Sequence, residues 1–346
     1  MGNQEVTGAG KNTDGGIAVI CETASAHGGD ADRLIDLLDA AEKADADWVK
    51  LQVFCTERLV ARDNESFALF KSIELNPPQW HRVFSHAAGL KPRLIAEVFD
   101  TLSLELAAAE DAVEAYKIPT ADLGDSEFVD AVCRQGKPVF IAVGGANVEE
   151  IDAIVEQVTG HSGVELVLLH GFQNFPTRLE DSLLSRIPWL KARYGCQVGF
   201  ADHVDAEDSE LARTLPAMAV AAGAAVIEKH ITLNRAAQGL DYYSALNPDE
   251  FVAFVRHIRR VHAAVGLADD GRLTAAETEY RNKMKKFAVT GKPIRRGTLL
   301  GEAMVEYRRT RLPGLTRKDV ELRGGMRVMR DLPAGTGIEP IHLEQI

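Results

Sequence analysis

From Ile17 onward, short apolar segments alternate with longer stretches in which apolar residues recur at helical spacing. The strand candidates are IAVICE, WVKLQVF, RLIAEVF, AYKIPT, PVFIAVGG, ELVLLHG, QVGFADH and AVIEKHITL. After the first of them, Leu34, Leu37, Leu38 and Ala41 fall at i, i+3, i+4 and i+7, which predicts a helix with one buried face. Such alternation of strands and helices is typical of an α/β fold with a parallel sheet.

Eight strand-helix units over about 250 residues favour a closed (β/α)8 barrel, the TIM barrel. An open doubly wound sheet shares the alternation and is the alternative, although no GxGxxG loop follows the first strand candidate. After the last strand, Asn247, Pro248 and Glu250 form the pattern of a helix start. The buried stripe predicted for that helix comprises Phe251, Phe254, Val255 and Ile258.

The pattern divides the chain into four parts. Residues 1–16 are polar and rich in Gly, which predicts a flexible tail, and residues 17–268 hold the barrel units. Residues 269–283 read as a polar linker with some helix. Residues 284–346 contain short apolar runs and Gly turns, such as GKPIRRGTLL and DLPAGTGI, which predict a small β-rich domain. A domain this small is expected to pack against the barrel or a partner subunit.

Composition narrows the class of protein. The 346 residues carry a net charge of −12, which argues against nucleic-acid binding because phosphate neutralisation needs surplus Lys and Arg. No apolar run reaches the roughly 18 residues of a membrane span, and the first residues lack the apolar core of a signal peptide. We therefore expect a cytoplasmic protein without membrane or nucleic-acid partners. The four Cys residues are scattered and are expected to be reduced.

Polar side chains collect at the C-terminal ends of the strand candidates. They are Glu22, Lys50, Gln52, Lys117, His170, His203, Glu228 and His230. In a parallel barrel these ends converge on one mouth, where active sites are built. Because side chains alternate along a strand, Glu228 and His230 are predicted to face inward while Lys229 faces outward.

Each of these residues has a structural alternative. A single His can be a satisfied core group, and Lys50 or Lys117 can neutralise Glu22 or Glu228 in a structural ion pair. The joint pattern favours function, because burying so many charges costs several kcal/mol each unless they are paired or bind something.

The residue types indicate several kinds of chemistry. Two neutral imidazoles, His203 and His230, suit a divalent transition metal that polarises a carbonyl oxygen. Lysines suit a phosphate or carboxylate, and carboxylates suit sugar hydroxyls or proton transfer. A Schiff base on Lys50 or Lys117 is an alternative, because burial can depress a lysine pKa.

Several motifs together resemble one family. CETASAHGGD, WVKLQVF, YKIPTADL, GFADH, VIEKHITL and GLDYYSALNPDEF occur in the order and spacing of the sialic acid synthases and related nonulosonate synthases. The segment FAVTGKPIRRGTLLGEAMVEYRRTRLPG, with the residues after it, resembles their antifreeze-like (SAF) domain. The resemblance runs from residue 17 to residue 346.

The resemblance implies a TIM barrel with a SAF domain, in a domain-swapped homodimer whose small domain covers the partner's active site. It implies condensation of phosphoenolpyruvate (PEP) with the open-chain aldehyde of an N-acetylhexosamine-like sugar, giving a 3-deoxy-2-keto sugar acid and phosphate. It also implies a divalent metal, usually Mn²⁺, with Mg²⁺ or Co²⁺ as alternatives.

Motif by motif, the resemblance also assigns roles to residues. The metal ligands would be His203 and His230, and the groups at the reacting centre Glu22, Glu228 and His230. PEP would be held by Lys50, Lys117 and Thr120. Other substrate contacts would come from Gln52, Asp241, Gln173 or Asn174, and from an Arg of the partner subunit among Arg308, Arg309 and Arg311.

The chain also departs from the family pattern. His27 is flanked by Ala26 and Gly28 where Asn is usual, and Ala142-Val143-Gly144 replaces a Ser-Thr-Gly run. Ala201 replaces the Ser before the Asp-His pair, and Phe175-Pro176 stands in place of Tyr-Pro. By the resemblance, several of the lost hydroxyls would contact the PEP phosphate, each worth roughly 1.5–3 kcal/mol as a hydrogen bond to a charged group.

The sequence therefore leaves three hypotheses. The first is a metal-dependent synthase that uses PEP, with the backbone N–H groups of Gly144 and Gly145 replacing the lost hydroxyls. The second, motivated by Ala142 and Ala201, is a metal-dependent aldolase or lyase that uses pyruvate or another α-keto acid. The third is a non-catalytic sugar-binding barrel, which has little need for a pair of metal ligands.

Overall fold

The computed structural model describes residues 9–10, 16–174, 177–266, 271–322 and 325–344. The chain forms two compact units, Met1–Gly266 and Leu267–Ile346.

The first unit is a closed barrel of eight parallel strands that follow one another in chain order, with the last strand paired to the first. The strands are β1 (Ala18–Glu22), β2 (Trp48–Val53), β3 (Arg93–Val98), β4 (Val113–Ile118), β5 (Val139–Ala142), β6 (Leu166–His170), β7 (Gln197–Asp202) and β8 (Val226–His230). This topology confirms the predicted TIM barrel and excludes the open doubly wound sheet.

Helices connect the strands and cover the outside of the barrel. They are α1 (Ala31–Lys43), α2 (Thr56–Leu59), α3 (Phe67–Ile73), α4 (Pro77–Ala87), α5 (Thr101–Ala108), α6 (Ser126–Cys133), α7 (Val148–Thr159), α8 (Arg186–Tyr194), α9 (Leu211–Ala221) and α10 (Pro248–Val265). The stripes predicted for α1 and α10 are both buried. At the start of α10 the Glu250 carboxylate accepts the Asn247 N–H at 2.8 Å, which is half of the expected capping box. No helix in the described ranges is long and apolar enough to cross a membrane.

Strand alternation decides which side chains fill the barrel. The interior apolar layer includes Ala18, Ile20, Trp48, Ile95, Ala115, Phe140, Val167, Leu169 and Val226. Residues two positions further along a strand face the same way. The inward positions at the mouth are therefore Glu22, Lys50, Glu97, Lys117, Ala142 and Glu228. The interior of the barrel is therefore apolar in its lower layer and mostly charged at the C-terminal mouth.

The opposite end of the barrel is closed by part of the N-terminal segment. The Ala9 N–H donates to both carboxylate oxygens of Glu165 at 2.8 Å, and Trp48 Nε1 donates to the Ala9 carbonyl at 3.1 Å. Ala9 is buried. At residues 9–10 the segment is therefore packed against the barrel, in contrast to the flexible tail expected there. The rest of the predicted tail, except Gly16, lies outside the described residues.

The second unit is small and has its own apolar core. Its elements are α11 (Ala275–Met284), the antiparallel pair β9 (Lys286–Thr290) and β10 (Val305–Arg309), and α12 (Arg317–Leu322). Two turn segments of similar sequence are joined by an antiparallel bridge between Ile294 and Leu332. They are the segments GKPIRRGTLL and DLPAGTGI. Helix α11 lies in the segment predicted as a linker and begins after the N-cap Thr274.

On the outer face of the barrel, Lys229 and Asp202 form a fully buried ion pair. Lys229 Nζ lies 2.7 Å from Asp202 Oδ2, and both side chains are 0% exposed. The second Asp202 oxygen accepts the Val204 N–H at 3.2 Å. The outward direction and structural role predicted for Lys229 are both confirmed. The pair joins β7 to β8 beneath the helices.

Lys229→Met is expected to lower the free energy of unfolding by about 3–5 kcal/mol, because Asp202 would keep a buried charge without a partner. Urea unfolding followed by circular dichroism measures the change. The double variant Lys229→Met/Asp202→Asn removes both charges and should recover most of the loss. A single variant as stable as the wild type would contradict this prediction.

Candidate active site

A cluster of buried charges occupies the C-terminal mouth of the barrel. Its members are Glu22 on β1, Lys50 on β2, Glu97 on β3, Lys117 on β4 and Glu228 on β8. None of the five is more than 5% exposed. Such burial is tolerated only because opposite charges meet at close range.

Lys50 lies at the centre of this cluster. Its Nζ contacts the Glu22 carboxylate, Glu97 Oε2 at 2.7 Å and Glu228 Oε1 at 3.2 Å. Glu22 is held from its other side, because Oε1 accepts the Ala24 N–H at 2.5 Å. One ammonium group therefore gathers three carboxylates from three strands.

Lys117 joins the cluster from the opposite side. Its Nζ lies 2.9 Å and 3.1 Å from the two oxygens of Glu228, and 3.5 Å from Glu97 Oε1. Glu97 and Glu228 each bridge the two lysines. The structural ion pairs considered from the sequence are therefore present between Lys50 and Glu22 and between both lysines and Glu228.

Burial and charge oppose each other in setting the pKa values of this cluster. Burial acts to raise the pKa of Glu228 and of Glu97, but the ammonium groups of Lys117 and Lys50 outweigh it and hold both pKa values below their usual range. Burial also acts to lower the pKa of Lys117, yet the Glu228 and Glu97 carboxylates raise it. At Lys50, burial lowers the pKa although the same two carboxylates oppose the shift. With all five groups ionised, the net charge is −1.

Two histidines lie beside the charged cluster. His203 directly follows β7 and His230 ends β8, and their ring centroids are 5.1 Å apart. The Nδ1 atom of each ring is buried without a hydrogen-bond partner in the described part of the chain. Burial lowers the pKa of His203 to about 3 and that of His230 well below its ordinary value. Both rings are therefore neutral at pH 7, which is the form that binds metal ions, so the pair fits a metal.

Three of the residues expected to make other substrate contacts, Gln173, Asp241 and Gln52, also have partners at the mouth of the barrel. Gln173 Nε2 donates to Asp241 Oδ1 at 3.1 Å, and Asp241 Oδ2 accepts the Ser25 N–H at 3.0 Å. Gln52 Nε2 donates to Glu97 Oε2 at 3.3 Å, which connects Gln52 to the charged cluster.

Thr120 and Asn174 have mainly local contacts. The Thr120 hydroxyl donates to the Ala142 carbonyl at 3.1 Å and so connects the end of β4 to β5. The Asn174 backbone N–H donates to Thr177 Oγ1 at 3.3 Å, and its side chain is exposed. Phe175 and Pro176 lie outside the described residues.

The mouth beside strands β5 to β7 lacks side-chain hydroxyls at two inward positions. Ala142 follows the inward Phe140 by two residues, and Ala201 is paired in register with Glu228. The backbone is close-packed here, because a Cβ on Gly144 would lie 2.0 Å from the Gly171 carbonyl oxygen. Gly144 thus allows the chain after β5 to approach the chain after β6 closely.

The three candidate arginines belong to the second unit and are exposed there. Arg308 and Arg309 lie on β10, and Arg311 follows it. Arg308 is paired with Glu306 of the same strand. Within the described residues, Arg309 and Arg311 form no ion pair, so their guanidinium groups are available for another partner.

The prediction that His170 lines the mouth is wrong. Val167 and Leu169 of β6 face the interior, so His170 points to the outer side of the barrel. Its Nε2 lies 2.9 Å from the Ser182 carbonyl oxygen, and burial lowers its pKa. His170 is a satisfied core histidine.

Glu97 is a site residue that the sequence analysis missed. It stands in the apolar segment RLIAEVF and is paired in register with Gln52 on one side and Lys117 on the other. The signal was the same as for Lys50, namely a charged residue inside an apolar strand near its C-terminal end.

A second group of possible metal ligands lies outside the barrel mouth. Cys55, Glu57 and Glu74 place their ligand atoms within 4.8 Å of one another. Lys71 is paired with Glu57 at 3.0 Å and with Glu74 at 2.9 Å, so both carboxylates already share a cationic partner from the protein itself. We assign no metal to this group.

Taken together, the features define a class of barrel enzyme. The C-terminal mouth of the TIM barrel, where the active sites of such barrels are built, holds two buried lysines, three buried carboxylates and a neutral histidine pair that fits a metal. A binding module has little use for so many buried ionisable groups.

Comparison with known proteins identifies the family. The pattern of the NeuB family matches residues 37–270, and the chain belongs to that family. The chain is 29% identical to the pseudaminic acid synthase of Campylobacter jejuni over 344 residues, which cover 95% of this chain and 97% of the relative. It is 26% identical to the N,N'-diacetyllegionaminic acid synthase of the same organism, covering 84% of this chain and 90% of the relative.

A solved structure agrees with this assignment. The N-acetylneuraminic acid synthetase of Leptospira borgpetersenii, crystallised with citrate, superposes with a TM-score of 0.70 at 28% identity. The match covers 77% of this chain and 91% of the other. The sequence-based resemblance to the sialic acid and nonulosonate synthases is confirmed.

Proposed function

We propose that the protein condenses PEP with the open-chain aldehyde of an N-acetylhexosamine-like sugar, giving a 3-deoxy-2-keto sugar acid and phosphate. The observation that carries the proposal is the meeting of Lys50 and Lys117 in the mouth of a NeuB-family barrel. Two ammonium groups within one cluster are suited to a donor that carries both a carboxylate and a phosphate.

In this reaction a C–C bond forms between C3 of PEP and the aldehyde carbon, whose oxygen takes up a proton and becomes a hydroxyl. Water adds at C2, and the C2 centre then loses phosphate to leave a ketone. Lys50 and Lys117 bind and orient PEP. Glu228, whose pKa the lysines hold below its usual range, and Glu22, which pairs with Lys50, hold or move a proton at the reacting centre. Gln52 and Asp241 hold sugar hydroxyls.

We further propose that His203 and His230 hold a divalent metal, Mn²⁺ first, with Mg²⁺ or Co²⁺ as alternatives. The support is the buried, unpartnered Nδ1 atom on each neutral ring. When bound, such an ion polarises the carbonyl oxygen of the aldehyde as a Lewis acid.

The test is phosphate release from the purified full-length protein. We expect release only when PEP, a suitable aldose and Mn²⁺ are present together, across a sugar panel that includes N-acetylhexosamines. Each single omission is a control. The proposal fails if no aldose of the panel elicits phosphate release.

Ala142 and Ala201 motivate a second candidate function, an aldolase or lyase that uses pyruvate or another α-keto acid. Without hydroxyls at these inward positions, phosphate has fewer side-chain donors. Pyruvate turnover without PEP turnover would select the second function.

For the first function, the lost hydroxyls need replacement donors. The backbone N–H groups of Gly144 and Gly145 donate to no other group in the described ranges, and we propose that they bind the phosphate of PEP.

We propose that the protein works in the cytoplasm as a domain-swapped homodimer, in which the second unit, as a SAF domain, brings an arginine to the partner's barrel. The support is the family resemblance together with the exposed Arg309 and Arg311, which form no ion pair within the described residues.

Mixed dimers test this arrangement. Arg308→Ala/Arg309→Ala/Arg311→Ala and His230→Ala should each be inactive alone. Co-expression should restore about a quarter of wild-type activity, because half of the dimers are mixed and each carries one complete site. As a control, His203→Ala co-expressed with His230→Ala damages every barrel and should recover nothing. Activity no greater than the sum of the parents would contradict the swap.

A further inference from the structure

We propose that Glu97 is a built-in competitor of the anionic donor. It pairs with the ammonium groups of Lys50 and Lys117 in this structure, and it releases them when PEP binds. The inference rests on the proposed function and concerns how that site selects its donor.

Glu97 contacts all three neighbours that the proposal assigns to substrates. Its Oε2 lies 2.7 Å from Lys50 Nζ and 3.3 Å from Gln52 Nε2, and its Oε1 lies 3.5 Å from Lys117 Nζ. A carboxylate that spans both lysines occupies the position that an anionic substrate group would take.

Among the three acids of the cluster, Glu97 is the least firmly held. Glu22 also accepts a backbone N–H, and its side chain is 0% exposed. Both carboxylate oxygens of Glu228 contact Lys117 Nζ, at 2.9 Å and 3.1 Å. Among the described residues Glu97, like Glu228, has side-chain partners only, but its contact with Lys117 Nζ is longer, at 3.5 Å, and its side chain is the most exposed of the three, at 5%. It is therefore the carboxylate that can rotate away.

Charge balance requires such a movement. A phosphate monoester carries about −1.5 to −2 at pH 7, and the carboxylate of PEP adds a further unit. The cluster already holds three carboxylates against two ammonium groups. If Glu97 stayed between the lysines, PEP would meet repulsion at short range in a poorly solvated site. This repulsion grows with the negative charge of the donor. Glu97 therefore weakens the binding of PEP more than it weakens the binding of a monoanion.

Glu97→Gln keeps the side-chain shape and removes the charge. We expect the Kd of PEP, measured by calorimetry on the full-length protein without sugar, to fall by about tenfold or more. The Kd of pyruvate, a monoanion, should change several-fold less. The matched control is Glu105→Gln, which removes the same charge from the exposed face of α5 and should leave both values unchanged.

The outcomes separate the inference from the proposed function. If the wild type binds and turns over PEP but Glu97→Gln binds it equally or more weakly, the inference is overturned and the proposed function stands. If neither variant binds PEP, both fail. If Glu97→Gln does not fold, Glu97→Asp decides, because its shorter side chain draws the carboxylate back from the lysines. Tighter PEP binding by Glu97→Asp supports the inference, and unchanged or weaker binding overturns it.

Discussion

Replacing His230 with alanine is expected to remove the bound metal and to lower turnover by at least about 10³-fold, and His203→Ala is expected to do the same. Loss of a Lewis acid costs several kcal/mol of transition-state stabilisation, which corresponds to that factor. Both rings are neutral, and the Nδ1 atom of each has no hydrogen-bond partner among the described residues, so each ring offers one ligand atom.

Metal content by elemental analysis and phosphate release should fall together in these variants. The melting temperature without metal should change little, because neither Nδ1 atom is tied to another group of the described chain. His81→Ala is the control, because the His81 side chain is 72% exposed and its one ion-pair partner in the described ranges is Glu110. A His230 variant that keeps its metal but loses activity would contradict the ligand role. A variant that loses metal and stays active would contradict the need for metal.

The barrel itself could be predicted because its signal is repeated eight times. Every strand candidate overlaps an observed strand, although β4 begins two residues before the candidate AYKIPT, and the stripes of α1 and α10 are buried as expected. The inward direction of Glu228 could also be predicted. In β8, Glu228 and His230 share one face and Lys229 lies on the other, so the polar residues show which face points into the barrel. A repeated pattern is insensitive to an error at any single element.

The direction of His170 could not be read from the sequence. Strand β6 is Leu166, Val167, Leu168, Leu169, His170, and helices cover its outer face. A strand buried on both faces has no alternation of apolar and polar residues, so its phase is undetermined until the neighbouring strands fix it. The sequence placed His170 correctly at the end of β6 but on the wrong face of the strand.

The pairing within the site depends on register rather than on residue type. Glu22, Lys50 and His230 come level because β1 pairs with both β2 and β8, and Glu97 meets Lys117 because β3 pairs with β4. The motifs quoted for the family resemblance do not include Glu97, so its contacts with Lys50 and Lys117 emerge only from the strand pairing. The Gln173–Asp241 contact joins loops 68 residues apart, and no local pattern specifies it.

Lys117→Met is expected to eliminate turnover, by at least about 10³-fold, and to lower the free energy of unfolding at pH 7 by about 3–5 kcal/mol. The variant removes a PEP ligand and leaves three buried carboxylates with Lys50 alone. Glu228 loses the ammonium group that contacts both of its oxygens. Phosphate release and urea unfolding measure the two effects.

The pH dependence follows from the pKa shifts. In the wild type, Lys117 and Lys50 hold the pKa of Glu228 and of Glu97 below the unfolded value against the effect of burial, so their stabilisation is present above about pH 4.3 and is lost on further acidification. In Lys117→Met, burial should prevail and raise these pKa values above the unfolded value. The variant should then gain stability as the pH falls from 7 toward about 4.3, and its deficit should narrow. A deficit independent of pH would contradict this account.

The double variant Lys117→Met/Glu228→Gln separates folding from catalysis. It removes one charge of each sign, so Lys50 faces two carboxylates and the cluster keeps its net charge of −1, as in the wild type. Most of the lost stability should return, because the cost of the single variant comes from an unpaired buried carboxylate rather than from the missing side chain. Turnover should stay absent, because PEP lacks one of its two cations and the reacting centre lacks the Glu228 carboxylate. If the double variant regained activity along with stability, Lys117 would be a structural partner of Glu228 and Lys50 alone would bind the donor.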